Sequence, residues 1–448
     1  MKPILIYKAK IVNEGNAYKG SLLIEDDKIS KIFKDDVPES VLSKSEVIDA
    51  EDKWVLPGVI DSHVHFRDPG MTEKADFYTE SKAALAGGVT SVMDMPNTTP
   101  NTTTMDLWYE KTEALLKKSL VNFSCYMGAT DNNVDEILKI DPKKVCGLKL
   151  FMGSTTRSFV INDKNKLAEI FEKSPVLIAT HNEDDAMIAA NLEKVKAQFA
   201  DQPIPMIYHS VIRNSDACYK STAAAIELAL KYHTHLHVLH VSTLKELALF
   251  ESKALDQKDI TAETTVNYLW FDDRDYERLG ARIKCCPAIK KEKSRLGLLK
   301  GVASGVIDTI ATDHAPHLLK DKEGDALTAA SGIPSIQHSL PMMLELAKKG
   351  NFSREQVVEK MCHNPARIFG IEKRGFIRKG YYADLVIVSP NTPYTVEAKD
   401  LYYKCGWSPI EGEKLSYKVE KTFVNGKVVY DNGKFNEDQK GRLLDFVR

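Results

Sequence analysis

The sequence predicts an α/β fold: a (β/α)8 barrel joined to a small β-sandwich domain that both chain ends build. Three observations predict it. Both ends consist of short β-type runs between turn residues, the middle alternates apolar runs with helical stretches, and polar side chains gather where the apolar runs end.

The first part, residues 1–56, carries ILIYKAKIV, SLLIEDDKISKIF and SEVIDAEDKWVL, separated by Asn, Gly, Asp and Ser turns. Residues 368–448 have the same texture in ADLVIVSP and YKVEKTFVNGKVVYDNGKF, followed by a short tail. Asn425-Gly426 between two β-rich runs predicts a hairpin, because both residue types accept the left-handed backbone of a tight turn. Residues 57–367 read differently. After WVLPGVI come GVTSVMDMP, NFSCYMGA, VCGLKLFMG, PVLIATHNED, THLHVLHVS, DITAETTV and GVIDTIATDHAPH, spaced by stretches such as DFYTESKAALAG and YKSTAAAIELALKYH. With the opening strand that makes eight β units, the count of a closed barrel.

Composition narrows the function classes. The chain has 448 residues, 43% hydrophobic and 28% charged, enough for one large domain with a smaller one. A net charge of -2 without a long Lys/Arg cluster argues against a nucleic-acid partner. The opening apolar run is too short for a signal peptide and no stretch approaches a membrane span, so a cytoplasmic protein with no membrane partner is expected. Seven cysteines without a Cys-x-x-Cys pair, two of them adjacent at Cys285-Cys286, read as free thiols of a reducing compartment.

Chemistry is concentrated in VIDSHVHFRDPG, where alternation along a strand would put Asp61, His63, His65 and Arg67 on one face. Asn97, Lys149, His181, His240 and Asp313 stand near the ends of later units, the rim where barrel enzymes build active sites. Within THLHVLH, parity places His240 on an inward row with Leu236 and Val238 and turns His235 and His237 towards the helices. A His-x-His pair alone is more often structural than metal-binding. Lys149 alone reads as a salt-bridged lysine at the barrel mouth. Taken together, four imidazoles and a carboxylate exceed what one catalytic zinc takes from a protein, and they point to two metal ions. Two ions need a bridging anion, and burial of Lys149 would free a neutral amine that CO2 converts to a carbamate.

DSHVHFRDPG together with ATDHAPHLLKDK resembles the two signature segments of dihydroorotases, cyclic amidohydrolases of the amidohydrolase superfamily. HNED, LHVSTL and NPARIFGIEKRGFIRKGYYADLVIV resemble that superfamily too, so the likeness runs along nearly the whole chain. The resemblance implies that His63 and His65 bind one zinc, that His181 and His240 bind a second, and that carbamylated Lys149 and a hydroxide bridge them. Asp313 would be a ligand and the proton-transfer group. Arg67, Asn97 and His317 would hold a substrate carboxylate, and the Gly332 backbone would meet the pyrimidine ring. Asp61 is not a ligand in that family and is expected to support one. The implied reaction interconverts N-carbamoyl-L-aspartate and L-dihydroorotate, a step of pyrimidine (UMP) biosynthesis.

Some positions depart from the family pattern. The bridging Asp of one branch is replaced by Gly153, which favours Lys149 as the bridge, and Cys286 stands where a ring-contacting Asn is common. Val266-Asn267-Tyr268 replaces a usual Pro-His-His. The alternatives are another cyclic amidohydrolase, a hydantoinase, dihydropyrimidinase or allantoinase, or a non-catalytic partner of a transcarbamoylase. Besides the small-molecule substrate, a homodimer and a contact with aspartate transcarbamoylase are the candidate associations. The polar stretch at residues 321–330 reads as a solvated connection rather than a loop at the site mouth.

Overall fold

The computed structural model describes residues 2–155, 159–161 and 163–448. Eight parallel strands form the barrel: β1 (Val59–Val64), β2 (Val89–Asp94), β3 (Asn122–Cys125), β4 (Leu148–Phe151), β5 (Ile178–His181), β6 (Leu236–Val238), β7 (Ile260–Thr265) and β8 (Thr309–Ala311). β3 continues as Met127–Gly128, which pairs with β4, and Val64 bridges His314 just past β8, so the ring closes. These strands are almost wholly buried, because helices cover the outside and side chains fill the inside. The helices Phe77–Ala86, Met105–Leu116, Lys164–Lys173, Asp185–Phe199 and Ser215–Tyr232 each start at an Asp, Thr or Asn whose side chain accepts backbone N–H groups.

Both chain ends join in one nine-stranded sheet. Trp54–Pro57 pairs antiparallel with Leu385–Ser389, which seams the two ends together. The Asn425-Gly426 turn joins Lys418–Val424 to Lys427–Asp431 with both residues at positive φ, 50° and 78°. A Cβ at Gly426 would lie 2.2 Å from the Asp26 carbonyl oxygen, so close approach also demands glycine there. The chain's last residues leave the sheet and pass under the barrel. There Leu444 and Phe446 pack with Phe369, Tyr126, Met93 and Leu177 into an apolar plug.

Parity in β6 is the reverse of the expectation. Leu236 and Val238 belong to the apolar cluster shared with Ala225 and Ala229 of the helix Ser215–Tyr232. His237 is buried, contacts Thr261 Oγ1 at 2.7 Å and stacks edge-on to Phe369 of the plug. His235 lies at the surface beside Asp259 rather than against the helices. Leu239 continues the inner row, and His240 rejoins it only because its backbone is left-handed, φ 41°. Alternation holds only while the strand stays regular, and it fails at that residue.

Candidate active site

β1 delivers His63 to the barrel mouth, and the His65 N–H then donates to the His314 carbonyl at 2.8 Å. The following turn is held from below: the Phe66 N–H donates to Asp94, whose carboxylate is paired with buried Lys111 at 2.6 Å. Arg67 sits in that turn with φ 64°. The register of β1 against β2 shifts twice, so the four side chains from Asp61 to Arg67 do not share one face. His63, His65 and Arg67 line the pocket, whereas Asp61 turns to Thr312, accepting from its N–H at 3.2 Å and its hydroxyl at 2.6 Å. Burial pushes the Asp61 carboxyl up to about 7. It thereby supports the residue beside Asp313, the kind of role expected of it.

Around the pocket stand His63, His65, Arg67, Asn97, Lys149, His181, His240, Asp313 and Gly332, together with Phe151, Cys285 and Cys286. The Nε2 atoms of His63 and His65 each lie 3.2 Å from Asp313 Oδ1. Donor atoms of these three residues fall within 4.8 Å of one another, a set able to hold a metal ion. His181 Nδ1 and His240 Nε2 approach to 2.8 Å and turn two more donors into the same space. Burial lowers the pKa of His240, His181 and His65, the last to about 3, which keeps the rings neutral as ligation requires. Lys149 is buried over the Phe151 ring, and loss of solvation pushes its amine down to about 7. The neighbouring histidines hold Asp313 below the usual carboxylate range against the opposing effect of burial. This chemistry fits a metal pair with a lysine-derived bridge: neutral imidazoles, an ionised carboxylate and an amine poised to react. His240, Asp313 and Arg67 all have positive φ, the local strain that functional sites tolerate.

The substrate end lies beside this cluster. Arg67 Nε donates to the Pro316 carbonyl at 3.2 Å, and its Nη2 lies 3.2 Å from His317 Nε2. His317 thus reaches the pocket through Arg67 rather than lining it. Gly332 has φ 149°, and any Cβ there would come within 2.3 Å of the Ala315 carbonyl oxygen.

Several residues of the site escaped the reading of the sequence. Glu263 of β7, fully buried, meets His63 Nδ1 at 2.8 Å and accepts from Ser62 Oγ at 2.9 Å, leaving His63 Nε2 to face the pocket. The acid in the middle of DITAETTV was the available signal. Glu183 pairs with Arg213 and lies 3.3 Å from His181 Nε2, while Arg213 also donates to the Ser154 carbonyl. The stretch 321–330 is solvated only in part: Glu323, Gly324, Leu327 and Thr328 are exposed, whereas Lys322, Ala326 and Ala329 are buried. Lys322 is buried and its ammonium reaches the carbonyls of Lys284 (3.2 Å), Ala330 (2.6 Å) and Gly332 (2.8 Å). It therefore ties together the two segments that bring Cys286 and Gly332 to the pocket. Ala326 is buried against Val195, Ile204 and Ile212. All seven cysteines are free, Cys285 and Cys286 included.

The amidohydrolase family profile matches residues 54–429, and the chain belongs to that family, an enzyme of the class that hydrolyses cyclic amides. It is 34% identical to a dihydroorotase of Methanosarcina acetivorans over 458 residues, covering 99% of this chain and 96% of that protein. Identity is 30% to an L-hydantoinase of Paenarthrobacter aurescens, with 98% of this chain and 97% of that protein covered. It is also 30% to an allantoinase of Bacillus velezensis, with 99% and 97% covered. Among solved structures, an L-hydantoinase (dihydropyrimidinase) from Arthrobacter aurescens is similar with a TM-score of 0.91 at 28% identity, covering 99% of this chain and 100% of that one. Relatives with three different ring substrates thus align along the whole chain, and specificity has to be argued from the pocket.

Proposed function

We propose that the protein is a dihydroorotase, interconverting N-carbamoyl-L-aspartate and L-dihydroorotate in cytoplasmic pyrimidine biosynthesis. The observation that carries this reading is the cationic end of the pocket, where buried Arg67 stands against His317 and lines the same pocket as the histidine cluster. A planar guanidinium grips a carboxylate with two parallel hydrogen bonds, and dihydroorotate bears a carboxylate that uncharged rings lack.

His63 and His65 would hold one zinc ion and His181 and His240 the other, with carbamylated Lys149 and Asp313 completing the set. When bound, the zinc pair would supply hydroxide near neutral pH and polarise the ring carbonyl. Arg67, Asn97 and His317 would fix the carboxylate, and the Gly332 backbone would meet the ring. Asp313, the sole carboxylate among the described residues lining the pocket, would accept a proton and return it to the departing ring nitrogen. In the direction of ring closure the same residue takes that proton from the carbamoyl nitrogen. A homodimer or a contact with aspartate transcarbamoylase would place this chemistry in a larger assembly.

The test is turnover of L-dihydroorotate and of N-carbamoyl-L-aspartate by zinc-loaded protein, with allantoin and dihydrouracil alongside. Arg67→Ala should lower dihydroorotate turnover by about 100-fold while zinc content is unchanged. Turnover of the uncharged rings alone would point to a hydantoinase-type enzyme. Absence of both turnover and zinc would point to a non-catalytic partner of a transcarbamoylase.

A further inference from the structure

His317 is pinned between two cations. Its Nε2 lies 3.2 Å from Arg67 Nη2, and its Nδ1 lies 3.2 Å from Lys74 Nζ. The ring is buried, and burial together with the flanking charges of Arg67, Lys74 and Lys322 keeps it neutral, against the weaker opposing effect of the Ser331 backbone, an acceptor beside it. Its backbone is anchored as well, since Trp407 Nε1 donates to the His317 carbonyl at 2.8 Å. A neutral imidazole has one N–H and one acceptor nitrogen, whereas a guanidinium and an ammonium offer donors only. One of the two contacts must therefore set N–H against N–H, and the ring cannot satisfy both cations.

We propose that Lys74 is a positioning residue that selects the tautomer of His317: it donates to Nδ1, so the proton sits on Nε2 and that N–H is aimed at the substrate carboxylate. The carboxylate of Asp321 lies 3.7 Å from Lys74 Nζ and holds the ammonium beside the ring. Asp321 is itself fixed by the Leu318 N–H at 3.2 Å, and at 3.9 Å it is too far from His317 Nδ1 to accept a hydrogen bond from it. Lys74 thus meets Nδ1 as a donor, and the mismatched contact falls between Nε2 and Arg67. A carboxylate entering there accepts from the guanidinium with one oxygen and from the His317 N–H with the other, which relieves the mismatch. Arg67 cannot move away to relieve it alone, because its Nε is tied to the Pro316 carbonyl. The identity of the anion rests on the dihydroorotase reading, whereas the tautomer does not.

Two measurements test this. In protein labelled with 15N-histidine, with His317→Gln to assign the signal, the His317 ring should carry its proton on Nε2 in the wild type. It should shift towards the Nδ1–H form in Lys74→Met and keep the wild-type form in Lys74→Arg, which retains a donor-only cation. In kinetics, Lys74→Met should raise KM for dihydroorotate about tenfold, the worth of one charge-assisted hydrogen bond, with a smaller fall in kcat. A tautomer unaffected by Lys74→Met, or an unchanged KM in an active enzyme, overturns the proposal. A tautomer that follows Lys74 in a protein that never turns over dihydroorotate would uphold the proposal and remove the functional reading instead.

Discussion

The two ends of the barrel are built from the same eight strands and solve opposite problems. At the bottom, Phe369, Leu444 and Phe446 close the ring with Tyr126 and Leu177, and burial of apolar surface does the stabilising. At the mouth, the described pocket collects imidazoles, Lys149, Asp313 and Arg67, with Lys322 and His317 just behind. Burying such groups costs solvation and leaves His240, Asp313 and Arg67 in left-handed backbone. The contrast teaches that stability is invested at one end so that strain and unsatisfied chemistry can persist at the other.

The comparison can be broken from either side. The largest effect belongs to the mouth. Asp313→Asn should reduce kcat by about 1,000-fold, the scale of a lost general acid–base group, with a slightly lower thermal midpoint, because the folded site favours the ionised carboxylate. A midpoint well below wild type would show that the carboxylate is structural first. At the bottom, Phe369→Ala should cost about 3–5 kcal/mol in denaturant unfolding while the surviving folded protein keeps its KM. If KM changed as much as stability, the two ends would not be separable.

A smaller effect sharpens the contrast through pH. Burial pushes Lys322 from an ordinary 10.5 down to about 7. Between those values the unfolded chain binds more protons than the folded one, so this group makes stability rise with pH from about 7 to 10.5 and adds a constant penalty below. Lys322→Met removes the titration along with three carbonyl contacts. The level of stability is therefore a poor readout, and the slope is the useful one. Wild type should gain thermal midpoint relative to the variant between pH 7 and 9, and parallel profiles would contradict the assignment.

Much of this was legible in the chain. Eight apolar runs in alternation, a left-handed Asn425-Gly426 turn and polar residues at strand ends are local patterns, and the structure brings the histidines, Lys149 and Asp313 into one pocket. Parity misled in THLHVLH because a three-residue strand, Leu236–Val238, is too short for alternation to reach His240. The polarity of DKEGDALTAA misled too. Lys322 finds its partners in backbone carbonyls, which carry no signature in side-chain composition.

By itself, then, the sequence determined which side chains could ligate, grip or titrate, and that they would stand where strands give way to loops. Only the tertiary structure decided which of them meet. Glu263 reaches His63 from 200 positions away, Thr312 reaches Asp61, and Lys74 and Arg67 trap His317 between them. Those contacts exist because the barrel closes between its first and last strands, and no local backbone preference encodes a closure across the whole chain.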